Sequence, residues 1–239
     1  MPVAQLDIHP DMIEQVENRL LDAIVEGTLA PGLRLTQESV ASMFGVSRQP
    51  VSHALQALKR RGLVVEHGKR GLAIAPLEAH RIRDLYQVRA ALDGVAAELA
   101  ATLVRRGRVA PAEIERARKI LAKGQALATD APMRARIDAD VQFHSAIHQL
   151  SGNAAIGETV ASQWPHFMRS MKLVLDNAPA RARVWREHAA ILDAILSGTA
   201  DAAASLAREH TLRAGEETAA RLELPTTASL VPTQHRSAL

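Results

Sequence analysis

The 239-residue chain contains no cysteine. That absence excludes a disulfide framework, a thiolate metal site and a cysteine nucleophile. Aromatic residues make up only 3%, so the core must be assembled from Leu, Ile, Val and abundant Ala. Alanine loses no side-chain entropy in a helix, and a composition of this kind leans towards helices. No apolar run approaches the ~20 residues that span a bilayer. The first ten residues show neither the basic n-region nor the apolar h-region of a secretory signal. The expectation is a cytoplasmic chain with no membrane partner. With 47% hydrophobic and 23% charged residues, it is too apolar to be disordered and long enough for one large or two modest domains.

Charge is small in total, +3, but unevenly spread. Residues 1–33 carry Asp7, Asp11, Glu14, Glu17, Asp22 and Glu26 against Arg19 alone. Residues 34–77 carry Arg34, Arg48, Lys59, Arg60, Arg61, Lys69 and Arg70 against Glu38 and Glu66. A basic half on a near-neutral domain can form a phosphate-binding face, although ordinary solvated charge would look the same at this level.

Apolar spacing predicts an amphipathic helix over 12–24 (Ile13, Val16, Leu20, Leu21, Ile24), ended by Gly27 and the Pro31-Gly32 turn. Thr36 is placed to cap a second helix that stops at Gly45. Ser47 is placed to cap a third, with Pro50 in its first turn and Val51, Leu55 and Leu58 as its buried stripe. Leu63–Val65 and Leu72–Ala75 read as two strands joined by the polar 66–71 segment, a hairpin. Pro76 marks a boundary. Beyond it, helical patterns run over roughly 78–106, 111–128, 133–150, 154–176, 181–197 and 200–222. The fold class is therefore mainly α: a winged helix-turn-helix (three helices plus a β-hairpin wing) over 1–76, then an all-α bundle of about six helices over 77–224. Residues 225–239, rich in Thr, Ser and Pro without periodicity, are expected to be a disordered tail.

In such a module the turn and recognition helix fall on Gly45 to Leu55, polar at the start and apolar within, as insertion into a major groove requires. Arg48 can bond bidentately to guanine and Gln49 to adenine. Arg34, Ser47, Ser52 and His53 complete the expected DNA-facing set, and Lys69 and Arg70 at the wing tip can reach phosphates or the minor groove. Lys59, Arg60 and Arg61 suit backbone phosphates.

The run Gly27-x-Leu29-x-Pro31-Gly32-x-Arg34-Leu35, Val40-Ala41, Phe44-Gly45-Val46-Ser47-Arg48-x-Pro50-Val51, Ala54-Leu55-x-x-Leu58 and Gly62-Leu63-Val64 resembles the GntR family of bacterial regulators. The resemblance implies sequence-specific binding of a double-stranded operator. One departure is Ser52-His53, where many members carry Arg-Glu, so the family's base preference does not transfer.

In the helical half, Asp140 and His144 lie four residues apart and project from adjacent turns of one face. His188 opens the stripe Ile191, Leu192, Ile195, and His210 continues the stripe Ala203, Leu206, Ala207. All three histidines should point into the bundle. One inward histidine is ordinarily satisfied by a single hydrogen bond. Several buried without a shared partner cost a few kcal/mol per unmatched group, and a divalent cation would satisfy them together. Core packing and metal binding both stay open on spacing alone.

The Asp140-x-x-x-His144 pair, Ser151-Gly152-Asn153, the Glu187-His188 block and the late His210 resemble the FCD ligand-binding domain of the FadR-like GntR subgroup. That resemblance implies Asp140, His144, His188 and His210 as ligands of a divalent metal, zinc foremost, with Ni, Co, Fe or Mn also suited to the donors. Asp138 and His148 compete, the latter also as an outer-sphere or effector contact. The segment Asp84 to Gly94 resembles the domain's opening motif, with Asp93 where Glu is usual. Arg89 is then the candidate clamp for an effector carboxylate, or else a salt-bridge partner. Asn153 is a further effector contact or a helix cap, and Arg169 a third effector candidate. The expected protein is a homodimeric repressor whose operator affinity answers to a small organic acid. Two rivals are a metal-dependent hydrolase or lyase joined to a DNA-binding module, with Asp138 as its base, and a purely structural dimerisation bundle.

Overall fold

The computed structural model describes residues 10–68 and 71–224. The expectations for Lys69, Arg70 and the 225–239 tail fall outside those residues. The first three helices are α1 (Pro10–Glu26), α2 (Gln37–Phe44) and α3 (Arg48–Arg60). Their apolar stripes meet in one core, in which Leu20, Val51, Leu55, Leu58, Leu63 and Ile74 are fully covered. Thr36 caps α2 by accepting from the Ser39 N–H at 3.0 Å. Gly45 then turns the chain at φ 66°, a left-handed conformation that costs other residues about 1–2 kcal/mol. That glycine makes the tight turn between α2 and α3 possible. Ser47 departs from expectation: its hydroxyl makes no bond to α3 and stays exposed.

The wing is the antiparallel pair β2 (Val64–His67) and β3 (Gly71–Ile74), in register Val64↔Ile74 and His67↔Gly71. A third strand, β1 (Arg34–Leu35), pairs with the other edge of β3 and gives the order β1-β3-β2. Two residues carry no readable alternation, so only the hairpin was predictable.

After Pro76 come α4 (Ala79–Arg105), α5 (Pro111–Gln125), α6 (Met133–Leu150), α7 (Ala154–Ala161), α8 (Trp164–Leu175), α9 (Ala178–Leu196) and α10 (Ala200–Glu223). This is one helix more, among the described residues, than the sequence patterns suggest. The expected 154–176 helix is broken at Ser162-Gln163, because Pro165 has no N–H to donate and its ring would clash with the carbonyl four residues back. Pro165 falls instead in the first turn of α8, where neither matters. Likewise α9 starts three residues early: Asn177 caps it, accepting from the Ala180 N–H at 2.9 Å.

The main helical core gathers Ala96, Ala97 and Ala100 of α4, Phe143 of α6 and Ile191, Leu192 and Ile195 of α9. Small residues let helices approach closely. At Gly124 of α5, an added Cβ would lie 1.9 Å from Cη2 of Trp185. Gly124→Ala should therefore cost roughly 1–3 kcal/mol through overpacking, read as a lower Tm in calorimetry.

Candidate functional site

In the winged helix, Ser47, Arg48, Gln49 and His53 form an exposed patch at the start of α3, and Arg34 is exposed on β1. The Arg48 guanidinium rests 3.0 Å from Glu38, both side chains being well exposed. Exposed pairs are worth at most about 1 kcal/mol, so Arg48 is only weakly held there. Ser52 is half-buried and accepts from Gln37 Nε2 at 3.1 Å, which ties α3 to α2. Lys59 and Arg61 are paired with Glu66 and Glu17, whereas Arg60 is exposed.

In the helical half, α6 carries Asp140 and His144, α9 carries His188 and α10 carries His210. All four are buried, and one nitrogen of each histidine lies within 4.8 Å of the others. His188 Nε2 stands 3.1 Å from His210 Nε2 and 3.6 Å from an Asp140 oxygen. His144 Nε2 stands 3.8 Å from the other Asp140 oxygen. Two residues that spacing did not single out set the tautomers. Glu187 accepts from His210 Nδ1 at 2.7 Å, and Asp93 lies 3.4 Å from His144 Nδ1. With the proton held on Nδ1, both rings turn a lone pair on Nε2 inward, the orientation a metal ligand needs. His188 is wholly buried and its Nδ1 has no partner among the described residues. An Nε2 proton shared with His210 would leave that Nδ1 a bare buried acceptor. A proton on Nδ1 would instead set two lone pairs 3.1 Å apart. Protein groups alone leave this trio unsatisfied, and three nitrogens plus a carboxylate are a fit donor set for a borderline divalent cation.

The electrostatics agree. Burial pushes the His144 imidazole down to about 4, with nearby Arg89 adding to it. Burial likewise holds His188 well below the usual imidazole range, helped by His210 and His144. Burial raises the Asp93 carboxyl, but Arg89, His144 and His148 outweigh it and hold the group well below the usual carboxylate range. Burial thus favours the neutral forms of His144 and His188. For the metal-free protein the sign follows directly: the unfolded chain takes up protons near pH 6.5 that the folded chain refuses. Stability should thus fall progressively between pH 6.5 and about 4, by on the order of 3 kcal/mol from His144 alone. Urea titrations across that range check it, and a flat profile would contradict it.

Asp93 is the hub of a second cluster. It accepts from His148 Nε2 at 2.7 Å and from the Thr211 hydroxyl at 2.8 Å, and it is ion-paired with the Arg89 guanidinium, whose Nε lies 3.2 Å away. Sequence spacing left His148 as a competing ligand; the structure gives it to Asp93. Arg89 is buried, with its guanidinium 4.7 Å from the Trp164 ring centre, 5.0 Å from Phe167 and 5.7 Å from Tyr86. Together with Tyr86, Asp140, His144, His210 and Thr211 it lines a cavity closed by Met171, Val174 and Leu175 of α8. Its free space is about 20 Å³, room for little more than one water. The other candidates lie elsewhere. Asp138 is ion-paired with Arg134 at 2.9 Å and partly exposed. Asn153 caps α7, accepting from the Ala155 N–H at 3.2 Å. Arg169 does not line the cavity; its Nη2 donates to the Ala75 carbonyl at 2.6 Å.

Comparison with known proteins follows the same division. The FCD domain family matches residues 84–213, and the family described as bacterial regulatory proteins, gntR family, matches residues 12–74. An uncharacterized HTH-type transcriptional regulator in an unstable DNA locus of Streptomyces ambofaciens is 28% identical over 197 residues, 80% of this chain and 78% of that one. The HTH-type transcriptional repressor RspR of Escherichia coli K12 is 23% identical, covering 86% and 88%. A GntR-type putative transcriptional regulator from Rhodococcus sp. RHA1, solved crystallographically, shares the fold with a TM-score of 0.71 at 24% identity, over 87% of this chain and 97% of that one.

Proposed function

The chain belongs to the GntR family of bacterial regulatory proteins, in the group that carries an FCD domain, and on that premise we propose that it is a metal-centred, acid-responsive repressor. It is a DNA-binding transcriptional regulator rather than an enzyme. Asp140, His144, His188 and His210 would hold a divalent metal, zinc foremost, which when bound supplies a Lewis-acidic point for an anionic ligand. A small organic acid is the effector, clamped by Arg89 beside that point. Asn153 and Arg169 are demoted to a helix cap and an interdomain contact. Ser47, Arg48, Gln49, Ser52 and His53 would face base edges, and Arg34 with the wing residues Lys69 and Arg70 the sugar–phosphate backbone.

The observation that carries the reading is the buried histidine trio, in which the His188 Nδ1 has no partner among the described residues, flanked by the buried Arg89 guanidinium. A cation would draw the inward nitrogens and Asp140 together, and the Arg89 guanidinium beside it suits a carboxylate. The protein would act in the cytoplasm as a homodimer on a pseudo-palindromic operator. Exposed Val88 and Val95 on α4 offer apolar surface for the second copy. Repression is also the role of the Escherichia coli relative RspR, a transcriptional repressor. The test is a thermal-shift screen of zinc-loaded protein against small carboxylic acids, with release of the gene's own upstream DNA measured for each hit. Hits should stabilise the protein and weaken DNA binding, and Arg89→Gln should lose both effects. Release that persists in Arg89→Gln would remove Arg89 from the clamp.

A further inference from the structure

The helix α8 has two opposite faces. Trp164, Phe167, Met171, Val174 and Leu175 point one way, onto the Arg89 guanidinium and the cavity beside the histidines. His166 and Arg169 point the other way, onto the winged helix. His166 Nε2 donates to the Arg61 carbonyl at 2.7 Å, and Arg61 is the C-cap of the recognition helix α3. Arg169 donates to the Ala75 carbonyl, and the Ala75 N–H in turn donates to the Leu63 carbonyl at 2.9 Å. The two side chains therefore grip one corner of the winged helix, where α3 ends and β3 leaves for α4.

Arg169 is a costly way to join two domains. It is buried, and among the described residues it has no carboxylate partner, only a neutral carbonyl. Burial pulls its guanidinium below the usual arginine range. A stability-driven contact would use an apolar side chain here, since an unpaired buried charge is penalised by several kcal/mol. What a long guanidinium provides instead is a directional tie between a sensor helix and a backbone carbonyl.

We infer that α8 is the transmission element and that His166 and Arg169 are positioning residues coupling the cavity to the recognition helix. The proposal rests on the sensor reading above. Because the cavity has room for about one water, an organic acid cannot enter without displacing its lining, and three of the lining residues are on α8. Displacing α8 pulls on Arg61 and Ala75, and so tilts α3 relative to the bundle. Coupling through a few such contacts is commonly worth a 5–150-fold change in affinity between sites.

The decisive experiment is hydrogen exchange on the full chain, with and without zinc, in the native protein and in a His166→Ala, Arg169→Met double variant. In both proteins zinc should slow exchange around His144, His188 and His210. In the native protein alone it should also slow exchange over 61–64 and 74–76, by about fivefold, the lower end of typical coupling. An equal response of those segments in the variant overturns the inference. If zinc slows nothing around His188, the metal reading fails by itself, and the inference is then decided by unfolding. A single calorimetric transition in the native chain that splits into two in the variant, with the helical domain's Tm unchanged, supports the tie. A single transition in both overturns it.

Discussion

Replacing His188 with alanine is expected to weaken zinc binding by more than about 100-fold, beyond the 10–100-fold that loss of an outer-sphere partner produces. His188 is the nitrogen between the other two donors, 3.1 Å from His210 and 3.6 Å from Asp140. No residue nearby can replace it, because His148 is committed to Asp93. A graded comparison comes from Glu187→Gln. That change leaves every ligand in place but removes the carboxylate that fixes the His210 tautomer, so a loss within the 10–100-fold range is expected. Competition against a fluorescent chelator measures both. Equal losses for the two variants would mean that His188 is a packing residue, as the stacking of its ring on Phe143 at 4.0 Å would also allow.

Arg48→Ala is expected to cost operator binding about 1–3 kcal/mol and to relax the preference at one base pair. Arg48 stands at the first residue of α3, exposed and tied only to Glu38, the position from which a recognition helix would reach base edges. Arg60, exposed at the other end of α3, offers the contrast. Its loss should weaken binding evenly across sequences and lower the salt slope by about one. Anisotropy titrations against the operator and a scrambled duplex at several salt concentrations separate the two. A uniform loss for Arg48→Ala would move that residue to the phosphates.

Much of this architecture is legible in the sequence because it rests on local chemistry. Gly45, Thr36 and the Val51-Leu55-Leu58 stripe specify the helix-turn-helix through backbone conformation, capping and period. The histidines are legible too, as each continues an apolar stripe. What escaped is non-local or too short to show a period. Strand β1 is two residues that exist only because β3 has a free edge. The α7–α8 break hinges on Pro165, whose apolar neighbours continue the helical pattern across the break. Glu187 and Asp93 were visible as residues of matched segments, but their partners are 23 and 51 positions away. No helical offset connects such pairs. Arg169 shows the same limit from the other side: its place on a helix suggested a pocket, and only the packed domains reveal that it reaches a backbone carbonyl of the winged helix.

On the proposed reading, Asp140, His144, His188 and His210 hold one metal ion at the heart of the helical domain. Elemental analysis of protein purified without chelator, native beside an Asp140→Ala, His144→Ala double variant, tests it most directly. About one equivalent of a divalent transition metal per native chain, and none in the folded variant, is the predicted result. Equal metal content in the two proteins, or none in either after exposure to zinc, would contradict it.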